Sequence, residues 1–132
     1  MTTKIILLFA LLTYSIIVSQ SFMYILALKN VQLSLNASSY TELRQLIDAN
    51  MRGNFKYVVY AALLTSLVLV ISTVRQPGSL LFITAAIAFL ALVTDTLLTV
   101  KGNLPVNDII NTWTPDSYPA DWKEYRDKWL SI

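Results

Sequence analysis

Residues 57–100 read YVVYAALLTSLVLVISTVRQPGSLLFITAAIAFLALVTDTLLTV, and this stretch decides the fold. Two apolar runs, Tyr57–Val74 and Leu80–Val100, flank the short polar segment Arg75-Gln76-Pro77-Gly78-Ser79. As helices the runs are about 27 Å and about 32 Å long, against a bilayer hydrocarbon core of about 30 Å. Pro fixes φ and Gly accepts positive φ, so Pro77-Gly78 predicts a tight turn that sends the chain straight back. The expectation is a transmembrane helical hairpin, interrupted by a single carboxylate, Asp95.

Upstream, Ile5 to Leu28 holds no charge at all. That run makes about 36 Å of helix, enough to span with tilt, and is long for the apolar core of a signal peptide. It is read as the first transmembrane helix, over 5–28. Between Lys29 and Lys56 the chain is polar. Asn36-Ala37-Ser38-Ser39 resembles a helix start, with Ser39 and Glu42 at capping-box spacing. Leu43, Leu46, Ile47 and Met51 then form an apolar stripe, which predicts an amphipathic interfacial helix over 39–52. Gly53-Asn54 is expected to break or bend the chain before the span at 57–74.

Downstream, Lys101–Ile132 forms a tail with all three Trp and three of the four Pro. Gly102 permits a helix-ending conformation and Pro105 biases Leu104 away from the helical region, so the third span is expected to stop here. A further turn over Asp108–Trp113 would bring Ile109, Ile110 and Trp113 to one side. Pro115 and Pro119 bracket a loop, and a helix is expected over 120–130, with Trp122, Arg126 and Trp129 on one face. Trp at a membrane boundary serves either as an interfacial anchor or, here, as part of a cap over the bundle.

Composition agrees with lipid as the solvent of the core. Hydrophobic residues make up 55% of the 132 and charged residues 14%, with a mean hydropathy of +0.57. So few charges would not cover a soluble globule of this size. There is no Cys, hence no disulfide or thiolate ligand, and no His, hence no imidazole ligand or neutral-pH imidazole base. A net charge of +2 without a basic tract argues against nucleic acid as partner. The expected architecture is one all-α membrane domain over residues 1–132, a helical bundle of three transmembrane helices with short interfacial helices and a capping tail. Lys4 and Arg75 fall on one side and the other eight basic residues on the opposite side. The positive-inside rule then puts the amino terminus outside and the tail in the cytoplasm.

Polar residues inside the spans are the candidate site. Thr84, Ala88, Asp95, Thr99 and Gly102 share one face of the third span, and Thr13, Gln20 and Tyr24 share one face of the first. Asp95 lies about 8 Å from the tail-side membrane boundary, Gln20 about 12 Å and Tyr60 about 5 Å, all in the tail-side leaflet. Ser and Thr satisfy their hydroxyls on their own helix and let helices approach, which is an architectural role. Asp95 differs in kind, because an ionised carboxylate at that depth needs a donor or water. Gln20, Tyr24, Tyr60 and the Asn residues beyond the span are the nearest donors by this counting.

Asn103, Pro105 and Asn107 directly after a span, then Trp113, then Trp122, Arg126 and Trp129 as W-x-x-x-R-x-x-W, resemble the anthrone oxygenase-like family of small integral membrane proteins. The resemblance covers the hydrophobic layout of the whole chain and specific residues in 103–129. It implies a four-helix layout whose fourth helix is absent from this chain, and some members are implicated in oxidising a polyketide anthrone with dioxygen without an evident metal or flavin. Family members commonly continue past the last Trp with a His and an Arg, whereas this sequence has no His.

Two functions are therefore expected. The first is a noncatalytic accessory subunit or scaffold in a membrane assembly, with the bilayer and a protein partner or further copies of the chain around it. The alternative is a cofactor-independent oxygenase of a lipophilic phenolic substrate. That enzyme would use Asp95 as base, with Asn103 and Asn107 as polar ligands for a substrate oxygen and Trp113, Trp122 and Arg126 closing a pocket that Gln20, Tyr24 and Tyr60 help to line. Neither reading calls for a metal or cofactor.

Overall fold

The computed structural model describes residues 1–132 and is all-helical in class, with no sheet beyond an isolated bridge between Thr114 and Ser117. Three helices are long and apolar enough to cross a membrane: α1, Thr2–Ser34; α2, Ala37–Thr73; and α3, Leu80–Ile110. A fourth, α4, spans Trp122–Ser131. Each of the three long helices contains one wider π turn, at Tyr24–Leu28, Met51–Phe55 and Thr99–Asn103.

These π turns correct the expected breaks. Gly53 and Asn54 lie inside the second π turn, so the helix passes through them instead of ending. Likewise Gly102 lies in the third π turn, and α3 runs on through Pro105 to Ile110. The Leu104 N–H reaches back five residues to the Thr99 carbonyl. The hydrogen-bond ladder has thus already shifted register where Pro105 arrives without a donor, which lets the proline be absorbed. No glycine in the chain has positive φ, so neither Gly78 nor Gly102 is used for a left-handed conformation. The helix start is also displaced. Asn36, not Ser39, caps α2, its side chain accepting from the Ser39 N–H at 2.9 Å.

The chain forms two compact units, and it passes between them within the three long helices. The first unit comprises Met1–Ser21 and Phe55–Asp95. Its core is built on small residues. Ala10, Leu69 and Ala85 pack with Ile6, Leu7, Val70 and Leu81, and Ile17, Ala62 and Leu92 pack with Tyr14, Phe55, Val58, Val59 and Leu63. Alanine at the contact lets backbones approach closely, the arrangement that helix association favours in lipid. Tyr14 Oη donates to the Ala88 carbonyl at 3.3 Å and ties α1 to α3. Thr65, Ser66, Thr73 and Thr84 donate to carbonyls one turn back in their own helices. The expected turn is present at Val74–Ser79, where Gln76 N–H donates to the Thr73 carbonyl and Ser79 N–H to the Gln76 carbonyl, each at 2.9 Å. Ser79 Oγ then accepts from the Phe82 N–H and starts α3.

The second unit comprises Phe22–Asn54 and Thr96–Ile132. Its core is aromatic: Ala37, Tyr40, Val106, Ile110, Trp113 and Trp122, with Leu35, Tyr125 and Trp129 against them. Tyr40 and Ile110 are completely buried. The tail therefore folds back onto the first part of α2, and its three Trp are packing residues of this unit. Of the turn expected over 108–113, Ile110 and Trp113 are buried while Ile109 stays 42% exposed.

Candidate functional site

The first fourteen residues of α2 bury Ala37, Tyr40, Thr41, Arg44 and Asp48. These positions recur at three, one, three and four residues, one face of a helix, and most of that face is polar. The apolar stripe read from the sequence is not the buried one: Leu46 is 58% exposed and Leu43, Ile47 and Met51 are half-buried. The reason lies in what α2 packs against. Its neighbours in the tail offer amides and aromatic rings, and the polar face matches them.

Asp48 is the hub of one network. Its Oδ1 accepts from Asn107 Nδ2 at 2.8 Å, and its Oδ2 accepts from Asn111 Nδ2 at 2.8 Å and from Arg52 Nε at 2.9 Å. Arg52 also donates through Nη2 to Asp108 at 2.7 Å. One turn before, Gln45 Nε2 donates to the carbonyls of Ile110 and Trp113, at 2.9 and 2.8 Å. The Ile110 carbonyl also accepts from the Trp113 N–H at 3.0 Å, so Gln45 holds the chain where it leaves α3.

Arg44 is the hub of a second cluster. It is 3% exposed, its Nη1 donates to Tyr24 Oη at 3.0 Å, and its guanidinium lies 4.2 Å from the ring centre of Trp129. Tyr24 Oη also accepts from Gln32 Nε2, and the Tyr24 and Trp129 rings are 5.0 Å apart. Nearby Tyr40 packs on Trp122 at 5.7 Å, and the Arg126 guanidinium lies 5.2 Å from that same Trp122 ring. Arg126 also donates to its neighbour Asp127 at 2.9 Å and to the Leu33 carbonyl at 3.4 Å. Stacked guanidinium and indole attract through the ring quadrupole, and the attraction strengthens when water is excluded.

The nine residues named from the sequence divide between the two units. Tyr24, Asn103, Asn107, Trp113, Trp122 and Arg126 belong to the second. Within it Tyr24, Trp122 and Arg126 join the Arg44 cluster, and Asn107 joins the Asp48 network. Asn103 donates to the Trp129 carbonyl at 3.2 Å, and Trp113 sits edge-on to Tyr125 at 5.4 Å. Gln20, Tyr60 and Asp95 belong to the first unit. Gln20 is half-buried, Tyr60 is 60% exposed with its ring 6.4 Å from that of Tyr57, and Asp95 is exposed. None of the chain's ion pairs or hydrogen bonds reaches Asp95. Asp95 does not line the unit's open cleft of about 400 Å³, which is formed by Leu11, Ser15 and Val18 of α1, Ser66 of α2, and Thr84 and Ala88 of α3. The acidic residues form no group of three able to hold a metal ion.

Sequence reading missed Arg44, Asp48, Gln32 and Tyr40. Their one signal was spacing, since 37, 40, 41, 44 and 48 repeat as a helix face just as the apolar residues do, but a polar face is ordinarily assigned to solvent. No family model, curated protein or solved structure matches this chain.

Proposed function

We propose that this protein is a noncatalytic subunit of a membrane assembly, held in the bilayer by α1, α2 and α3 with its tail in the cytoplasm, and that its partner is another polypeptide. The observation that carries this reading is Asp95, a carboxylate in the apolar run Leu80–Val100 that is exposed and has no partner within the chain. An unpartnered acid costs about 2.5–3.5 kcal/mol at the centre of a span on insertion scales and less toward the boundary, and a donor on a neighbouring helix offsets that cost. Thr84, Ala88 and Asp95 lie on one stripe of α3, and Thr84 and Ala88 line the open cleft against α1. Small residues on that stripe suit the close approach of a further helix.

A second copy could offer Asp95 only neutral donors such as Gln20 or Tyr60, so the charge of Asp95 favours a heterologous partner. The runs Ile5–Leu28, Tyr57–Val74 and Leu80–Val100 contain no Lys or Arg. A second copy therefore has no intramembrane cation to offer Asp95, and two copies meeting through this face would oppose like charges. The oxygenase reading has less support from the geometry. The amides it assigns to substrate are engaged, Asn103 with the Trp129 carbonyl and Asn107 with Asp48.

Mass measurement in mild detergent tests the proposal on protein extracted from its own membrane. The expected result is a complex heavier than the 14.9 kDa chain and its multiples, and dissociation of that complex by Asp95→Leu. A lone monomer, or a complex indifferent to Asp95→Leu, overturns it. Anthrone-dependent oxygen uptake by the purified protein, lost in Asp95→Asn, would establish the oxygenase instead.

A further inference from the structure

Arg44 carries a charge that protein conditions do not remove, and it is 3% exposed. Buried cations are ordinarily paired with an anion, because an unpaired one gives up its hydration for nothing. The chain has three ion pairs, Arg52 with Asp48, Arg52 with Asp108, and Arg126 with Asp127; Arg44 is in none of them. Its single hydrogen bond goes to Tyr24 Oη, a neutral group already accepting from Gln32, and its Nε is buried with no acceptor.

Counting donors against acceptors sharpens the point. Arg44 Nε, Tyr40 Oη and Trp129 Nε1 are all buried donors without a partner, and the unused acceptors in the cluster, Gln32 Oε1 and the Tyr40 hydroxyl oxygen itself, are both neutral. Tyr40 and Arg44 are one turn apart on the same buried face of α2, and the guanidinium carbon of Arg44 lies 4.2 Å from the Trp129 ring centre. Arg126, 8% exposed, adds a second cation against Trp122, while its partner Asp127 stands 60% exposed. The cluster is rich in donors and positive charge and short of a negatively charged acceptor.

We propose that Arg44, with Tyr40 and Trp129, binds a phosphate-type oxyanion, presented either by a lipid head group or as free phosphate. The guanidinium edge bearing Nε supplies the charge-assisted bond, and the phenol and indole donors complete the shell. Tyr24 and Trp129 are the half-buried members, so the anion enters past the last turn of α4. This inference stands on the Arg44 cluster alone and is independent of the assembly proposed above.

The test uses the full chain in a maltoside detergent, which carries no phosphate, read by Trp emission and unfolding temperature. One arm adds inorganic phosphate against sodium chloride of equal ionic strength; the other adds phosphatidylglycerol to the micelles. A saturable rise in unfolding temperature with a shift in Trp emission is expected in one arm, and which arm responds says whether the phosphate is free or on a lipid. Arg44→Gln is expected to lose the response. Because that variant removes a packed side chain, Gln32→Glu is the second: it places a carboxylate where the unused Gln32 acceptor now lies. It should raise the unfolding temperature without added anion and abolish the response to either. Absence of response in both arms, or a response that survives Gln32→Glu, overturns the proposal.

Discussion

Asp48 and Asn107, fifty-nine positions apart, meet at 2.8 Å inside the second unit, where the carboxylate also takes Asn111 and Arg52. Asp48 is 3% exposed, so removing it strands donors in a place water does not reach. Asp48→Ala is expected to cost about 3 kcal/mol, the scale of a broken buried charge network. All three Trp lie in this unit, so their emission during thermal or denaturant unfolding in detergent reports the loss directly. A loss below about 0.5 kcal/mol, the range of ordinary surface changes, would remove Asp48 as the hub.

Substitutions on the two faces of α2 should rank opposite to their hydrophobicity. Tyr40 is fully buried and Leu46 is 58% exposed. Tyr40→Ala should destabilise by about 3 kcal/mol or more, while Leu46→Ser in detergent should fall within about 0.5 kcal/mol of the parent. The same unfolding assay compares them, and a reversed order would mean that the apolar stripe is the packed one.

Asp95 separates folding from association. With no hydrogen bond or ion pair inside the chain, Asp95→Leu should leave the unfolding temperature of the isolated protein unchanged or raise it, since the carboxylate contributes only desolvation cost there. A marked fall in unfolding temperature would show that Asp95 has an internal role.

Gly102 faces Ile132 closely: a Cβ at residue 102 would stand 2.8 Å from Ile132 Cγ2. Alanine in a helix is favoured over glycine by about 1 kcal/mol, and the contact opposes that gain. Gly102→Ala alone is expected to be near neutral, and the same change in an Ile132→Ala background should stabilise by about 1 kcal/mol. A double-mutant cycle on unfolding free energy measures the difference, and additivity of the two changes would mean that they do not touch.

Three apolar helices, the turn at Pro77-Gly78 and the tail helix around Trp122 were legible in the residue pattern, because each rests on local chemistry. An apolar run of eighteen or more residues, a Pro-Gly pair between such runs and a Trp-Arg-Trp spacing each state their own structure. The candidate site was legible only in part. Tyr24, Asn107, Trp122 and Arg126 carry visible signals, an aromatic or amide at the edge of a span, and they do sit in the two polar networks. Arg44, Asp48, Gln32 and Tyr40 carry none, since a polar helix face is the same in sequence whether it meets water or a folded tail.

What the sequence determined by itself is therefore the number of long helices and that each is apolar enough to cross a membrane, both consequences of side-chain transfer energy summed along the chain. What the tertiary structure decided is where those helices end and which side of α2 is covered. Gly53, Gly102 and Pro105 are helix breakers by local propensity, yet the helices pass through the two glycines on π turns and through Pro105 just after one, because packing of the flanking helical segments outweighs a propensity cost of about 1 kcal/mol for glycine. The face that α2 buries was set by partners sixty to ninety positions away, whose donors and rings complement Asp48 and Arg44 and which no local window contains.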